Sequence, residues 1–261
     1  MNVRPLVQIV HVSDVSSDGA VSPYAFASFA RFTTSLTVGD PTWRKHPAWF
    51  VASQLPRGAR ALDALEALAP RTAFRARVAL CGPHDSRAPR HAPVLWPAPP
   101  LTERSPDART EVQLYALDTH DGVVDAPSFA RLGGLMAQHR NDARTTAVRV
   151  VVSHHPVPAL LCERAPDVTG PLAHLHLAAH TPRIEPEVAR ASPAFISPGS
   201  FSRAERPWSG TATVLRLYAA MAQSGVVVCE RFVAARSAAS GEWRVRAEES
   251  GEIATEWILR G

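Results

Sequence analysis

An α/β fold with a β-rich C-terminal third is the class this sequence predicts, on three observations. Short apolar runs rich in β-branched residues alternate with segments of helical periodicity as far as about residue 153. Those runs are nearly continuous, as strands buried on both faces require. After Pro156 the helical period disappears while short β-rich runs continue. The chain has 261 residues, 46% hydrophobic and 20% charged, which suits a single globular domain over residues 1–261.

Leu6 to Val12 (LVQIVHV) is the first expected strand, ending at the polar pair Ser13-Asp14. Tyr24 to Leu36 places Phe26, Phe29, Phe32 and Leu36 at helical spacing after Ser22-Pro23, a favourable helix start. Ala48 to Ser53 (AWFVAS) reads as a second strand. Ala59 to Ala69 carries Leu62, Leu65 and Leu68 on one face and stops at Pro70, an amphipathic helix with a defined end. Val78 to Cys81 is a third strand. Residues 82–110 then hold seven prolines and almost no apolar period, which reads as a long surface loop. Glu111 to Leu117 and Ala147 to Ser153 are strands, separated by a helix over Ser128 to His139 with Phe129, Leu132, Leu135 and Met136 on one face. A short run over Leu172 to Ala178 precedes five β-rich runs, Ala194 to Ser197, Thr211 to Tyr218, Val226 to Phe232, Trp243 to Ala247 and Ile253 to Leu259. Residues 220–261 form the expected C-terminal β extension.

Composition narrows the chemistry. Cys81, Cys162 and Cys229 are too far apart for a CxxC element, so imidazole and carboxylate must hold any metal. Met1 to Val12 lacks the features of a signal peptide, and no run reaches the ~18 to 20 apolar residues of a membrane span, so a cytoplasmic setting is expected. The net charge of +4 comes from scattered arginines, with Lys45 the only lysine. Without an arginine cluster or interleaved aromatics, nucleic-acid binding is not supported.

In open α/β sheets ligands bind outside the carboxyl ends of the strands, so the residues following each strand are the informative ones. They are Ser13-Asp14, Ser53-Gln54, Gly82-Pro83-His84-Asp85, His154-His155-Pro156 and Ala179-His180-Thr181. Aspartate and histidine recur at one structural address from distant segments.

That order and spacing resemble the calcineurin-like metallophosphoesterases over roughly Val7 to Leu217. The family's motifs run D-x-H, G-D, G-N-H-[D/E], a histidine often within H-H-P, and G-H-x-H. VHVSDVS stands for the first, ALCGPHD for the third, VVVSHHP for the fourth and LAAHTPR for the fifth. ISPGSFSR before the strand TATVLRL is similar to the segment that follows the last motif. The resemblance implies a four-layer α/β/β/α sandwich of two mixed sheets flanked by helices. For the second motif two positions compete. Gly39-Asp40 is a literal G-D but follows a helix-like segment, whereas Ser53-Gln54 lies directly after a strand and about thirty residues before His84. Ser53-Gln54 is preferred, which puts glutamine where the bridging aspartate belongs.

The resemblance implies two metal ions and a phosphoester substrate, and the residues depart from it. The first metal would need Asp14 and positions 16, 54 and 182, which here are Ser16, Gln54 and Pro182. The second would need positions 54, 83, 154 and 180, which are Gln54, Pro83, His154 and His180. Proline offers no ligating side chain, and Gln54 offers only a neutral amide oxygen. His84, matching the histidine that assists the transition state, is kept with Asp85 beside it. The expectation is a pseudoenzyme whose divalent ion (Mn, Fe or Zn) binds weakly or not at all, and which serves in a protein complex. The alternative is an active hydrolase of phosphomonoesters, phosphodiesters or nucleotides with a reduced centre of Asp14, His154 and His180, helped by Asp18, Asp40 or His155.

Bland readings stand beside these. Asp14 can equally cap a turn, and His155 can simply bond a neighbouring carbonyl. His11, His174 and His176 lie in apolar runs, as core or strand-face histidines do. For a protein partner, the loop over residues 82–110 with Trp96, and Trp208, are the expected interface, since aromatics are enriched there.

Overall fold

In a computed structural model the described residues are 4–15, 23–36, 47–55, 59–70, 72–81, 100–117, 126–139, 145–155, 157, 173–179, 195–196, 201, 208–219, 226–246 and 257–260. Strand β1 (Arg4–Val12), helix α1 (Pro23–Thr34), β2 (Ala48–Leu55), α2 (Ala59–Leu68) and β3 (Ala76–Cys81) follow in that order. The three strands pair in parallel, as strands joined through helices must. Pro23 opens α1, where a fixed φ and a missing N–H cost nothing, and Pro70 follows the end of α2.

Next come β4 (Leu101–Arg104), β5 (Thr110–Leu117), α3 (Ala126–Gln138), β6 (Thr146–Ser153), β7 (Leu175–Ala178) and β8 (Phe195–Ile196). They form a second sheet in the order β4-β5-β6-β7-β8, antiparallel at β4 and parallel beyond it. The remaining strands are β9 (Trp208–Ala219), β10 (Val226–Ser237), β11 (Trp243–Arg246) and β12 (Trp257–Arg260). They add antiparallel to the first sheet, giving the order β11-β10-β9-β1-β2-β3 with β12 also on β10. The protein is thus α/β with two mixed sheets, and the elements described in the C-terminal third are strands.

Two expectations need correction. The segment over residues 82–110 is not loop throughout, because β4 pairs with β5 through a turn at residues 105–109. LTER is a short edge strand whose residues alternate between half-buried and exposed, so it has no apolar run to announce it. Ser105 Oγ holds the turn by donating to Asp107 Oδ1 at 2.5 Å and accepting from the Thr110 N–H at 3.0 Å. Second, Ser53-Gln54 does not follow β2 but lies in its last residues. The ladder to β3 shifts register after Ala52, and buried Leu55 then pairs with Cys81, extending the strand by two residues.

Among the described residues, apolar side chains gather in three cores. One joins Val10, Phe50 and Val214 of the first sheet to Phe29 of α1 and Leu65 of α2. A second joins Ile9, Val51 and Leu215 of that sheet to Leu114, Val150 and Leu177 of the other. The third joins Tyr115 and Val151 of the second sheet to Leu132 and Met136 of α3. Every residue of β5 is buried, including the polar Thr110, Glu111 and Gln113 at its start. At the outer side of the first sheet Phe29, Phe201 and Trp243 pack ring against ring, with centroids 4.7 to 5.2 Å apart.

Candidate functional site

The carboxyl ends of four strands from both sheets are tied to one another, and the motif residues fall at those ends. Just past β1, Ser13 is fully buried. Its carbonyl accepts from the Phe201 N–H at 3.0 Å, and its hydroxyl donates to Ala179 O at 3.3 Å, next to the end of β7. Ala179 in turn donates its N–H to His154 O at 3.1 Å, past the end of β6. His154 Nδ1 then lies 3.2 Å from Ser53 O, in the last residues of β2. The last three of these bonds tie the ends of β1, β7, β6 and β2 in series.

Asp14 follows Ser13 in the left-handed region, with φ of 50°, and is half-buried. Aspartate is among the few residues that adopt that conformation at low cost, so its presence at this turn has a backbone reason as well as a chemical one. The backbone of Gln54 runs in β2. His154 is 1% exposed, with its ring edge-on to that of His155 at 4.4 Å. His155 is half-buried, and its backbone carbonyl accepts from Ser153 Oγ at 2.5 Å. The structure therefore gathers Asp14, Ser53 and His154 at tied strand ends. His84, Asp85, Asp40, Asp18 and His180 lie outside the described residues, as do Ser16, Pro83 and Pro182. Among the described residues no group of three or more His, Cys, Asp or Glu side chains is placed to hold a metal ion.

Two histidine–serine pairs that sequence reading did not anticipate underlie this edge. His11 Nε2 lies 2.8 Å from Ser53 Oγ, and His176 Nε2 lies 2.6 Å from Ser153 Oγ. All four side chains are buried. Burial first, then the charge of Arg231 and the nearby His176, pulls His11 down to about 3. Burial likewise pulls His176 down to about 3. Both imidazoles are neutral at pH 7, so they supply hydrogen bonds without adding positive charge beneath the site. The signal for them in the sequence was a histidine near the end of β1 and another near the end of β7.

The hydrogen bond of His154 Nδ1 bears on its tautomer. A carbonyl oxygen only accepts, so the Nδ1 facing Ser53 O carries the proton, and in the neutral ring the lone pair is on Nε2. Asp14 offers a carboxylate from the next strand end. Two such groups are fewer than the three protein ligands usual for a catalytic zinc. No protein-family model and no curated protein matches the chain.

Proposed function

We propose that this chain is a calcineurin-like metallophosphoesterase-fold protein with an eroded dinuclear metal centre, impaired or inactive as a phosphoesterase and acting as a binding or scaffold subunit. The fold we infer is one domain over residues 1–261 with four layers, α/β/β/α. Its support is that one core is shared between the two sheets while each of the others joins a single sheet to helices.

One observation carries the functional reading. The ends of β1, β2, β6 and β7 are tied together, and the position on β2 where a bridging carboxylate belongs is Gln54. Two dications held ~3.5 to 4 Å apart need a negative charge between them, and a neutral amide does not supply it. A single Mn, Fe or Zn ion would rest on Asp14, His154 and His180, with weak or absent occupancy. When bound, such an ion polarises a phosphoryl oxygen and activates water. His84 would then serve as proton donor, with Asp85 beside it. The setting we infer is cytoplasmic. A protein partner would meet residues 82–110 with Trp96, and Trp208.

A second reading, an active phosphoesterase with that reduced centre, is favoured by the Nδ1 bond of His154, since a proton held on Nδ1 keeps Nε2 unprotonated in the neutral ring. One experiment bears on both. The variant combining Ser16→His, Gln54→Asp, Pro83→Asn and Pro182→His is expected to bind two equivalents of manganese and to hydrolyse a generic phosphodiester, while the natural chain does neither. A repaired variant that stays metal-free contradicts the motif assignment. Manganese-dependent turnover by the natural chain that is lost with His154→Ala or His84→Ala supports the second reading over the first.

A further inference from the structure

We propose that the two sheets enclose a buried water molecule near the carboxyl end of β1, held between His11 Nδ1 and Thr213 Oγ1. Such a water is present whether or not the strand ends bind a metal.

Strand register sets the two side chains together. His11 stands directly opposite Thr213 in the antiparallel β1–β9 ladder. Two residues away along each strand, Ile9 and Leu215 lie in the core shared by the two sheets, so His11 and Thr213 point into that same core. Both are fully buried. Neither His11 Nδ1 nor Thr213 Oγ1 has a hydrogen-bond partner among the described residues, and the two do not bond each other. Orphaned polar atoms so deeply buried are costly, and the usual remedy in a folded protein is an internal water making about two to four hydrogen bonds.

The protons present decide what the occupant is. Ser53 Oγ has one proton and gives it to Val12 O at 3.4 Å, so it accepts from His11 Nε2–H at 2.8 Å. Burial keeps the His11 ring neutral, pulling its pKa down to about 3, and a neutral ring protonated on Nε2 has its lone pair on Nδ1. The occupant must therefore donate to Nδ1, which rules out chloride and any other anion with no proton to give. A cation would meet the positive charge of Arg231, which already bears on His11. Water is neutral, donates to Nδ1 and offers a lone pair to the Thr213 hydroxyl. The span fits as well: directly opposed Cβ atoms lie roughly 4.5 to 5.5 Å apart, and two hydrogen bonds of about 2.8 Å meeting at one water cover about 4.5 Å. By donating to Nδ1, the water also secures the Nε2–H tautomer on which the His11–Ser53 bond depends.

The test is a high-resolution crystal structure of the full chain, joined to long-range proton–nitrogen correlation NMR of the ¹⁵N-histidine-labelled protein, with His11→Gln to assign the His11 signals. One water within hydrogen-bond distance of both His11 Nδ1 and Thr213 Oγ1 is expected, with the His11 proton on Nε2. Thr213→Val, which removes the hydroxyl and keeps the shape, is expected to lose that water, shift the His11 Nδ1 resonance and lower the urea midpoint. Thr213→Ser is expected to retain the water. The sign of the Thr213→Val effect separates the two cases: in a dry pair the substitution removes an orphaned hydroxyl, and the midpoint rises. A midpoint that is unchanged or raised overturns the proposal. A wild-type crystal structure with a dry gap, a direct His11–Thr213 bond or an anion at that position overturns it without recourse to any variant, as does a His11 ring protonated on Nδ1.

Discussion

Buried histidines give this protein a pH dependence that can be worked out residue by residue. Burial holds His11 and His176 at about 3, and burial together with the charge of Arg149 holds His174 at about 4. In an unfolded chain each titrates near ~6.5. Between those limits the unfolded state binds protons that the folded state refuses, so stability is complete above pH 6.5 and falls as the pH drops toward 4. Each histidine contributes a slope of up to ~1.4 kcal/mol per pH unit in that window. Urea midpoints measured at pH 7.5, 6 and 5 are therefore expected to decrease in that order, and His174→Asn to flatten the decline. Midpoints that stay constant over the range contradict it. Gly210 makes a different single-residue demand. A Cβ there would lie 2.5 Å from the backbone oxygen of Phe201, which donates its own N–H to Ser13. Gly210→Ala is expected to cost about 1 to 3 kcal/mol in urea unfolding, as overpacking against backbone does.

Among the elements, α1 depends on its aromatic face. Phe29 is fully buried and meets Phe201 and Trp243 edge to face at 5.2 and 4.7 Å, so one side chain joins α1 to β11 and to the segment that reaches Ser13. Phe29→Ala is expected to lower stability by about 3 to 5 kcal/mol, read from urea midpoints, whereas Tyr24→Ala at an exposed position of the same helix changes it by less than about 1 kcal/mol. Most elements were legible in the sequence because burial on both faces writes continuous apolar runs, as in VVVS of β6, and because Pro23 and Pro70 mark helix ends. β4 was not legible, since a four-residue edge strand with two charged side chains carries no apolar run. The end of β2 was misplaced by two residues, because the register shift after Ala52 is a property of the β2–β3 ladder rather than of β2 alone.

For the whole molecule, the candidate site was legible as addresses rather than as contacts. Asp14 and His154 do lie just past the ends of β1 and β6, and hydrogen bonds tie the ends of β1, β2, β6 and β7 together. The pairs His11–Ser53 and His176–Ser153 join residues 42 and 23 positions apart, and only the packing of the strands brings them together. Of the eleven histidines, the apolar runs around His11, His174 and His176 marked those three as core or strand-face residues, and all three are buried and neutral at pH 7. The central claim is that this fold has kept the strand-end address and lost the charge needed to hold two metals there. Metal stoichiometry after equilibrium dialysis of the natural chain against manganese or zinc tests it most directly. The account predicts less than one equivalent, abolished by His154→Ala; two tightly held equivalents per chain would contradict it.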